Sequence, residues 1–178
     1  LREYLVLDEY VSSRGLLIKI FGLLLKNQKC AENLRKMNIH NLIAFYFDTE
    51  DSLFKECCML MLYWIDNSPK EFPRILANSL KAYLSKPDID TDSRYNCIEL
   101  LRLLVLGNIA LVYEIDGIGC LIDAVLNHQF ILDSKDKKLI PTIIHLLDDP
   151  QSRSIMMRDM NFARIFGVLC DLKSRLAV

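Results

Sequence analysis

Apolar residues recur at helical spacing in four long segments of this chain. The segments cover 13–26, 52–66, 93–106 and 135–147, and each predicts a long helix. Within 93–106 the apolar positions form two adjacent stripes: Cys97, Leu100 and Leu104, then Ile98, Leu101 and Val105. Only Glu99 and Arg102 interrupt them. A helix that is apolar around most of its circumference must be covered on several sides, so we predict that 93–106 lies between neighbouring helices.

One phrase is written twice. "LLLKNQKCAENLRKMNIHNLI" at 23–43 and "LLDDPQSRSIMMRDMNFARIF" at 146–166 align at an offset of 123 positions. Arg, Met and Asn recur identically in the two copies, and apolar positions match apolar positions. Because 123 is three times 41, the offset predicts two intermediate copies. A chance likeness between apolar helices is the alternative.

Candidate helix caps repeat with nearly the same period. Ser and Asp favour the residue before a helix because their side-chain oxygen accepts an orphan backbone N–H. Such residues stand at Ser12, Asp51, Asp92 and Asp133, which are separated by 39, 41 and 41 positions. A period near 40 that is built from helices is typical of armadillo and HEAT repeats.

Shorter helical segments follow each long helix. We predict them at 28–36, 39–47, from a start near 70–74, and at 109–115, 117–128, 151–158 and 161–172. Gly117 and Gly119 mark a corner, 85–91 is the clearest loop, and Pro141 should kink its helix or shorten the N-terminal end.

The predicted fold is all-α, a right-handed α-solenoid of about four armadillo/HEAT-like repeats. The units span 12–50, 51–91, 92–132 and 133–173 of a single helical-repeat domain, 1–178. We expect the chain to be a fragment of a much longer protein.

The composition indicates a folded core and a net charge close to zero. Apolar residues make up 52% and charged residues 25% of the chain, and the formal net charge is −1. This balance gives no reason to expect nucleic-acid binding. The longest membrane-span candidate, 103–113, is shorter than the roughly 20 residues that a span needs. The six cysteines lack C-x-x-C spacing, so we predict buried, reduced thiols and a reducing compartment, the cytosol or the nucleus. The location that we predict is the cytoplasm.

No motif predicts catalysis, a metal or a cofactor. The phosphate-binding loop, the dinucleotide fingerprint and the zinc-protease pattern are missing from the sequence. The histidines, His40, His128 and His145, are scattered along the chain, and we predict no metal site at any of them. A triad of Ser or Cys with His and Asp stays open, although a helical stack lacks the strand-turn-helix elbow that exposes many such nucleophiles.

Two further features have a structural and a functional interpretation. Trp64 is predicted to lie in the core, and an exposed binding anchor is the alternative. The charged runs at 48–51 and 134–138 are predicted to be solvated corners, and contact with a partner is the alternative.

Several short motifs follow one another in a fixed order. They are Phe72-Pro73, Ser79-Leu80, a helix with Cys97 that ends in Asn108, Gly117 and Leu121 of the next apolar helix, and "LLDDPQSR" at 146–153. Their order and spacing resemble the N-terminal helical-repeat region of the Rictor family, also called rapamycin-insensitive companion of TOR, Pianissimo or Ste16-like. "SSRGLLIKIFGLLLKN" and "LRKMNIHNLIAFYFD" resemble the preceding repeat, so the likeness covers nearly the whole chain. The chain departs from the family pattern at Ile118, which splits a pair of glycines, and at Gly107-Asn108-Ile109, where the family has an acidic residue and a proline.

The resemblance implies a non-catalytic scaffold subunit of TOR complex 2. Its implied protein partners are the TOR kinase, a Sin1-like subunit and AGC-family kinase substrates, and the chemistry resides in the kinase. We expect neither a nucleic-acid partner nor direct membrane insertion. The alternatives are an unrelated armadillo/HEAT adaptor in transport or cytoskeletal regulation, and an enzyme.

The repeat also suggests where partners would bind. In stacked repeats the last helix of each unit commonly lines the inner surface. Equivalent polar positions on these predicted helices are Asn41, Asn78, Asp123 and Arg164. We predict that these four residues bind a protein partner.

Overall fold

The computed structural model describes residue 3, residues 6–127 and 139–158, and positions 163, 164, 166, 167 and 170. Within these residues the chain forms nine α-helices and no strand. The helices are α1 (Arg14–Leu24), α2 (Gln28–Lys36), α3 (Ile39–Thr49), α4 (Phe54–Asn67), α5 (Arg74–Leu84), α6 (Thr91–Glu114), α7 (Gly117–Asn127), α8 (Leu139–Asp148) and α9 (Pro150–Arg158). The all-α prediction is confirmed.

Most predicted helix bounds agree with the structure to within a few residues. Helix α2 has the predicted bounds, and α3 ends two residues later than predicted. Short 3-10 turns at Asp8–Ser13, Asp51–Leu53 and Pro69–Glu71 precede α1, α4 and α5. Asp133, His128, the run 134–138 and most of the predicted helix 161–172 lie outside the described residues.

The long helices pack on one another in chain order. Helix α1 contacts α4, α4 contacts α6, and α6 contacts α8; we call these four helices the long-helix series. Helix α6 also contacts α5 and α7, and all six residues of its two apolar stripes are at most 3% exposed. This enclosure confirms the prediction for 93–106. Burying one such leucine contributes roughly 1.5–3 kcal/mol to stability.

Two charged residues in the middle of α6, Glu99 and Arg102, pair with each other. Arg102 is buried, and its Nε and Nη2 each donate to a carboxylate oxygen of Glu99 at 2.7 Å. Its Nη1 lies 3.5 Å from the Oγ1 of Thr142 on α8. A buried guanidinium without such partners would be strongly destabilising. The pair therefore lets an otherwise apolar helix carry charge inside the core.

The shorter helices form a second series. Helix α3 contacts α5, and α5 contacts α7; we call these three helices the last-helix series. Polar contacts tie each predicted unit to the next, and those named here join residues 31 to 40 positions apart. They are Arg35 with Glu71, Asp48 with Ser79, Lys81 with Ile115, Asn108 with Pro69, Tyr113 with Asp149, and Arg102 with Thr142.

Helix α6 is broken at Asn108, whose φ of −155° and ψ of 65° are not helical. The Asn108 Nδ2 donates to the Pro69 carbonyl at 3.0 Å, and its Oδ1 accepts from the Leu111 backbone N–H at 3.3 Å. A Cβ on Gly107 would lie 2.6 Å from the Cβ of Pro69. Glycine therefore lets α6 approach the Pro69 turn, and Asn108 starts the short segment predicted at 109–115.

The predicted caps are wrong in detail. Ser12 and Asp51 lie inside 3-10 turns, and Asp92 is the second residue of α6. The residue that caps α6 is Asp90, whose Oδ1 accepts from the Ser93 backbone N–H at 2.9 Å. Asp90 and Asp92 lie two positions apart, so the cap period near 40 holds whichever of the two residues is the cap.

Positive φ marks two of the turns between helices. Asn38, before α3, and Asp116, before α7, both have a φ of 53°. The predicted glycine corner is therefore shifted: Asp116 makes the turn, and Gly117 begins α7 with a φ outside the left-handed region. Gly117 is favoured by space instead, since a Cβ there would lie 2.9 Å from the Cγ1 of Val112. Pro141 lies in the first turn of α8, where a proline costs little.

The cysteine prediction is correct only in part. Cys57, Cys58 and Cys97 are buried, whereas Cys30 and Cys120 are partly exposed and Cys170 is exposed. A hydrogen bond with Cys97, together with burial, raises the pKa of the Cys58 thiol. All six are free cysteines, but only three behave as fully buried core residues.

Candidate functional site

The four predicted partner-binding residues are all exposed. Asn41 lies on α3, Asn78 on α5 and Asp123 on α7, which are the consecutive helices of the last-helix series. Arg164 is an isolated described position beyond α9. Exposure is compatible with binding and does not test it, so the assignment stays a prediction.

A cleft lies beside Asn41, between the first turns of α3 and α5. Its volume is about 380 Å³, and we call it the His40 cleft. It is lined by Arg35, His40, Asn41, Glu71, Pro73, Arg74 and Ile75. Asn41 and residues of α5 therefore line the same cleft. Asn78 lies about one turn beyond Ile75 on α5.

Two arginines and one glutamate give the His40 cleft its charge. The Arg35 Nη1 forms an ion pair with Glu71, and the Arg35 Nε donates to the Ala31 carbonyl at 3.3 Å. Arg74 lies 3.8 Å from Glu114, and both of these side chains are largely exposed. An exposed pair at that distance contributes little, about 0–1 kcal/mol. The Arg74 guanidinium can therefore exchange Glu114 for another carboxylate at little cost in free energy.

His40 lines the cleft and contacts the core behind it. Its Nδ1 is buried and has no hydrogen-bond partner among the described residues. The ring meets Trp64 edge-on with 6.3 Å between centroids, and burial lowers the pKa of His40. Trp64 is 1% exposed, so its prediction as a core residue is confirmed and the exposed-anchor alternative is wrong.

Exposed apolar side chains extend this surface. Phe45 on α3 is 57% exposed and lies one turn beyond Asn41; Ile75 on α5 is 41% exposed. Large apolar groups beside polar ones are typical of protein-binding surfaces. Phe45 and Ile75 are not among the predicted partner-binding residues because both lie in apolar segments, where periodicity alone does not separate the buried side from the exposed one.

A second cleft, of about 830 Å³, lies around the loop that precedes α6. Lys55, Lys86, Asp51, Asp88 and Asp90 are among its lining residues, so its charges are mixed. The ammonium of Lys86 lies 4.5 Å from the ring centroid of Tyr83. Two lysines face three aspartates, so the lining has a formal charge of −1, opposite in sign to that of the His40 cleft.

The predicted solvated corner at 48–51 is partly structural. Asp48 accepts a hydrogen bond from the Ser79 hydroxyl at 3.1 Å, and Glu50 pairs with the buried Arg14 at 3.1 Å. These carboxylates link the end of α3 to other helices. The run is therefore exposed at Asp51 and engaged at Asp48 and Glu50.

Two further properties bear on function: the grouping of metal-ligating side chains and the length of the apolar helix α6. Among the described residues, no group of three or more His, Cys, Asp or Glu side chains could hold a metal ion. Helix α6 is long and apolar enough to cross a membrane, but half of its most apolar 18-residue window is buried against the protein. Such burial is typical of a core helix, and the break at Asn108 and the buried Arg102 fall in the same helix.

The described residues form an all-helical fold in which the last-helix series keeps one side exposed. The family model described as "Rapamycin-insensitive companion of mTOR, N-term" matches residues 3–177. The chain therefore belongs to the family of the N-terminal region of the rapamycin-insensitive companion of mTOR, as its motifs predicted.

Two relatives carry that name in full. The chain is 26% identical over 174 residues to the rapamycin-insensitive companion of mTOR from Mus musculus and 25% identical over 174 residues to the protein from Homo sapiens. Each alignment covers 96% of this chain and 10% of the relative, so the chain spans about a tenth of their length. No solved structure matches the chain significantly.

Proposed function

We propose that this chain is part of a non-catalytic scaffold subunit of TOR complex 2. The observation that carries the proposal is the family match over residues 3–177. The relatives are named as companions of mTOR, which describes association with another protein. A scaffold acts by raising the effective concentration of the proteins that it holds, and the catalytic groups belong to the kinase.

The proposed architecture is a right-handed α-solenoid of about four armadillo/HEAT-like units, with the bounds 12–50, 51–91, 92–132 and 133–173. Three observations support it. The long-helix and last-helix series pack in chain order, and the polar contacts between units span 31 to 40 positions. The turn residues Asn38 and Asp116 share a φ of 53° and lie 78 positions apart, which is about two units.

The proposed partner surface is the exposed side of the last-helix series. Asn41, Asn78 and Asp123 lie on it, with Arg164 as the equivalent position in the fourth unit. Phe45 supports this choice because exposed aromatic side chains are frequent anchors in protein interfaces. The proposed partners are the TOR kinase, a Sin1-like subunit and AGC-family kinase substrates, and the proposed location is the cytoplasm.

Affinity purification tests the proposal. The full-length protein is tagged in its source cell, and the proteins that co-purify are identified by mass spectrometry. We expect the TOR kinase and a Sin1-like protein at near-stoichiometric yield. Recovery of neither protein rejects the proposal, and recovery of a transport cargo or a cytoskeletal protein in their place favours the adaptor alternative.

A further inference from the structure

The His40 cleft combines shape, charge and position in one place. Its volume of about 380 Å³ lies within the roughly 300–1,000 Å³ range of ligand pockets. Arg35, Arg74 and Glu71 give the lining a formal charge of +1, counted with neutral His40, and Glu114, which is not part of the lining, lies 3.8 Å from Arg74. The chain as a whole carries −1, so this positive charge is local.

Arg35 is held in place and still has donors to offer. Its contacts with Glu71 and with the Ala31 carbonyl use two of the five N–H donors of a guanidinium. A fixed guanidinium loses little side-chain entropy when it binds a carboxylate. Glu71 has a second effect, because its charge opposes any acid that approaches Arg35.

Arg74 is the more available cation. Its ion pair with Glu114 is long and exposed, and α5, which begins at Arg74, has no side-chain hydrogen bond at its N-cap. A carboxylate in the cleft would gain both from the guanidinium and from the positive end of the helix dipole. His40 and Arg35 then border the same volume from the other side.

The surroundings favour a peptide over other anions. Ile75 lines the cleft and Phe45 lies one turn beyond Asn41, so apolar side chains adjoin the charged groups. The amides of Asn41 and Asn78 can each donate to and accept from a peptide backbone. A nucleic acid or an anionic membrane would call for many more cations than this local charge supplies.

We propose that the His40 cleft binds an acidic side chain, Asp or Glu, of an extended peptide segment from a protein partner. The carboxylate pairs with Arg74 and Arg35, and the flanking residues of the peptide lie on Ile75 and Phe45. This inference rests on the proposed function only in that the ligand belongs to a partner protein.

A peptide library with a fixed central residue tests the inference. The probes are immobilised nine-residue peptides with mixed flanking positions and Asp, Glu, Asn, Gln or Lys at the centre. Retention of the purified full-length protein is measured at low and at high salt. We expect Asp and Glu centres to retain it about tenfold better than Asn and Gln centres, since a charge-assisted hydrogen bond is lost in the amides. Equal retention of acids and amides overturns the inference.

Charge-matched variants locate the effect. Arg74→Gln should remove the acid preference, and Arg153→Gln, at an exposed site on α9, should keep it. Glu71→Gln should strengthen acid binding about threefold, because it frees Arg35 from its carboxylate, whereas Asp88→Asn, outside the cleft, should not. Equal effects of the two arginine variants, or of the two acid variants, overturn the inference. The result does not depend on recovery of the TOR kinase, so this inference and the proposed function fail separately.

Discussion

Helix α6 and the last-helix series are built from similarly apolar segments but expose them differently. The two stripes of α6 are at most 3% exposed, whereas Phe45 on α3 is 57% exposed. Four helices surround α6, and no described helix covers the Phe45 side of α3. The comparison teaches that similarly apolar segments differ in how far neighbouring helices cover them, and the side left open on α3 is the one that we propose for partner binding.

The largest effect is expected from a charge inside the enclosed helix. Leu104 is 0% exposed, so Leu104→Asp buries a carboxylate without a partner and should cost at least about 3 kcal/mol of unfolding free energy. Leu106, in the same helix, is 50% exposed, and Leu106→Asp is the matched control. Urea denaturation followed by circular dichroism measures both. Equal stability of the two variants would show that α6 is not enclosed as described.

The next effect concerns the approach of α6 to the Pro69 turn. Gly107→Ala places a Cβ 2.6 Å from the Cβ of Pro69 and should cost about 1–3 kcal/mol. Gly119→Ala, in α7, meets nothing within 4 Å and should instead stabilise the helix by about 0.5–1 kcal/mol. The two unfolding midpoints should move in opposite directions, and a shift of the same sign contradicts the packing described at Gly107.

A substitution on the exposed side of α3 should weaken partner binding and leave the stability of the fold unchanged. Phe45→Ser is expected to lower recovery of the proposed partners about tenfold, as loss of an interface anchor does. Its melting temperature should stay close to that of the parent protein, because the side chain is largely exposed. Quantitative mass spectrometry of the purified complex provides the measurement. Undiminished recovery would remove Phe45 from the interface.

The smallest effect is expected from the half-buried His40. Burial lowers the pKa of His40 below its ordinary value of about 6.5, so the unfolded chain binds this proton more readily than the folded chain. The stability that His40 contributes is fully present above about pH 6.5. It is lost as the pH falls through the lower pKa that His40 has in the folded state. His40→Gln should lose less stability than the parent between about pH 7 and about pH 5. Parallel pH profiles would argue against this titration.

The sequence predicted the helices well because apolar residues at helical spacing mark the segments that pack into the core, although they do not show which apolar side chains stay exposed. The enclosure of 93–106 follows from its apolar side chains, which are stable only when other helices cover them. Helix α2 has the predicted bounds. The caps were missed because Asp90 and Asp92 are equally good candidates, and only backbone geometry decides which one meets the Ser93 N–H. The corner was missed because aspartate as well as glycine adopts the left-handed turn.

The His40 cleft could not be predicted from the sequence. It combines α2, the Pro69 turn and the starts of α3 and α5, and the ion pair of Arg35 with Glu71 joins residues 36 positions apart. A period near 40 indicates which units are neighbours, but it does not indicate which polar side chains meet between them. Asn41 was chosen by register alone, and the structure supplies the cleft beside it.

Site-specific photo-crosslinking tests the division between supporting and binding helices most directly. A benzoylphenylalanine replaces either Phe45, on the last-helix series, or Met59, which is 44% exposed on the long helix α4. Both full-length variants are irradiated in the source cell. The account predicts cross-links to a TOR complex subunit from position 45 and few or none from position 59. Cross-links from position 59 alone would contradict it.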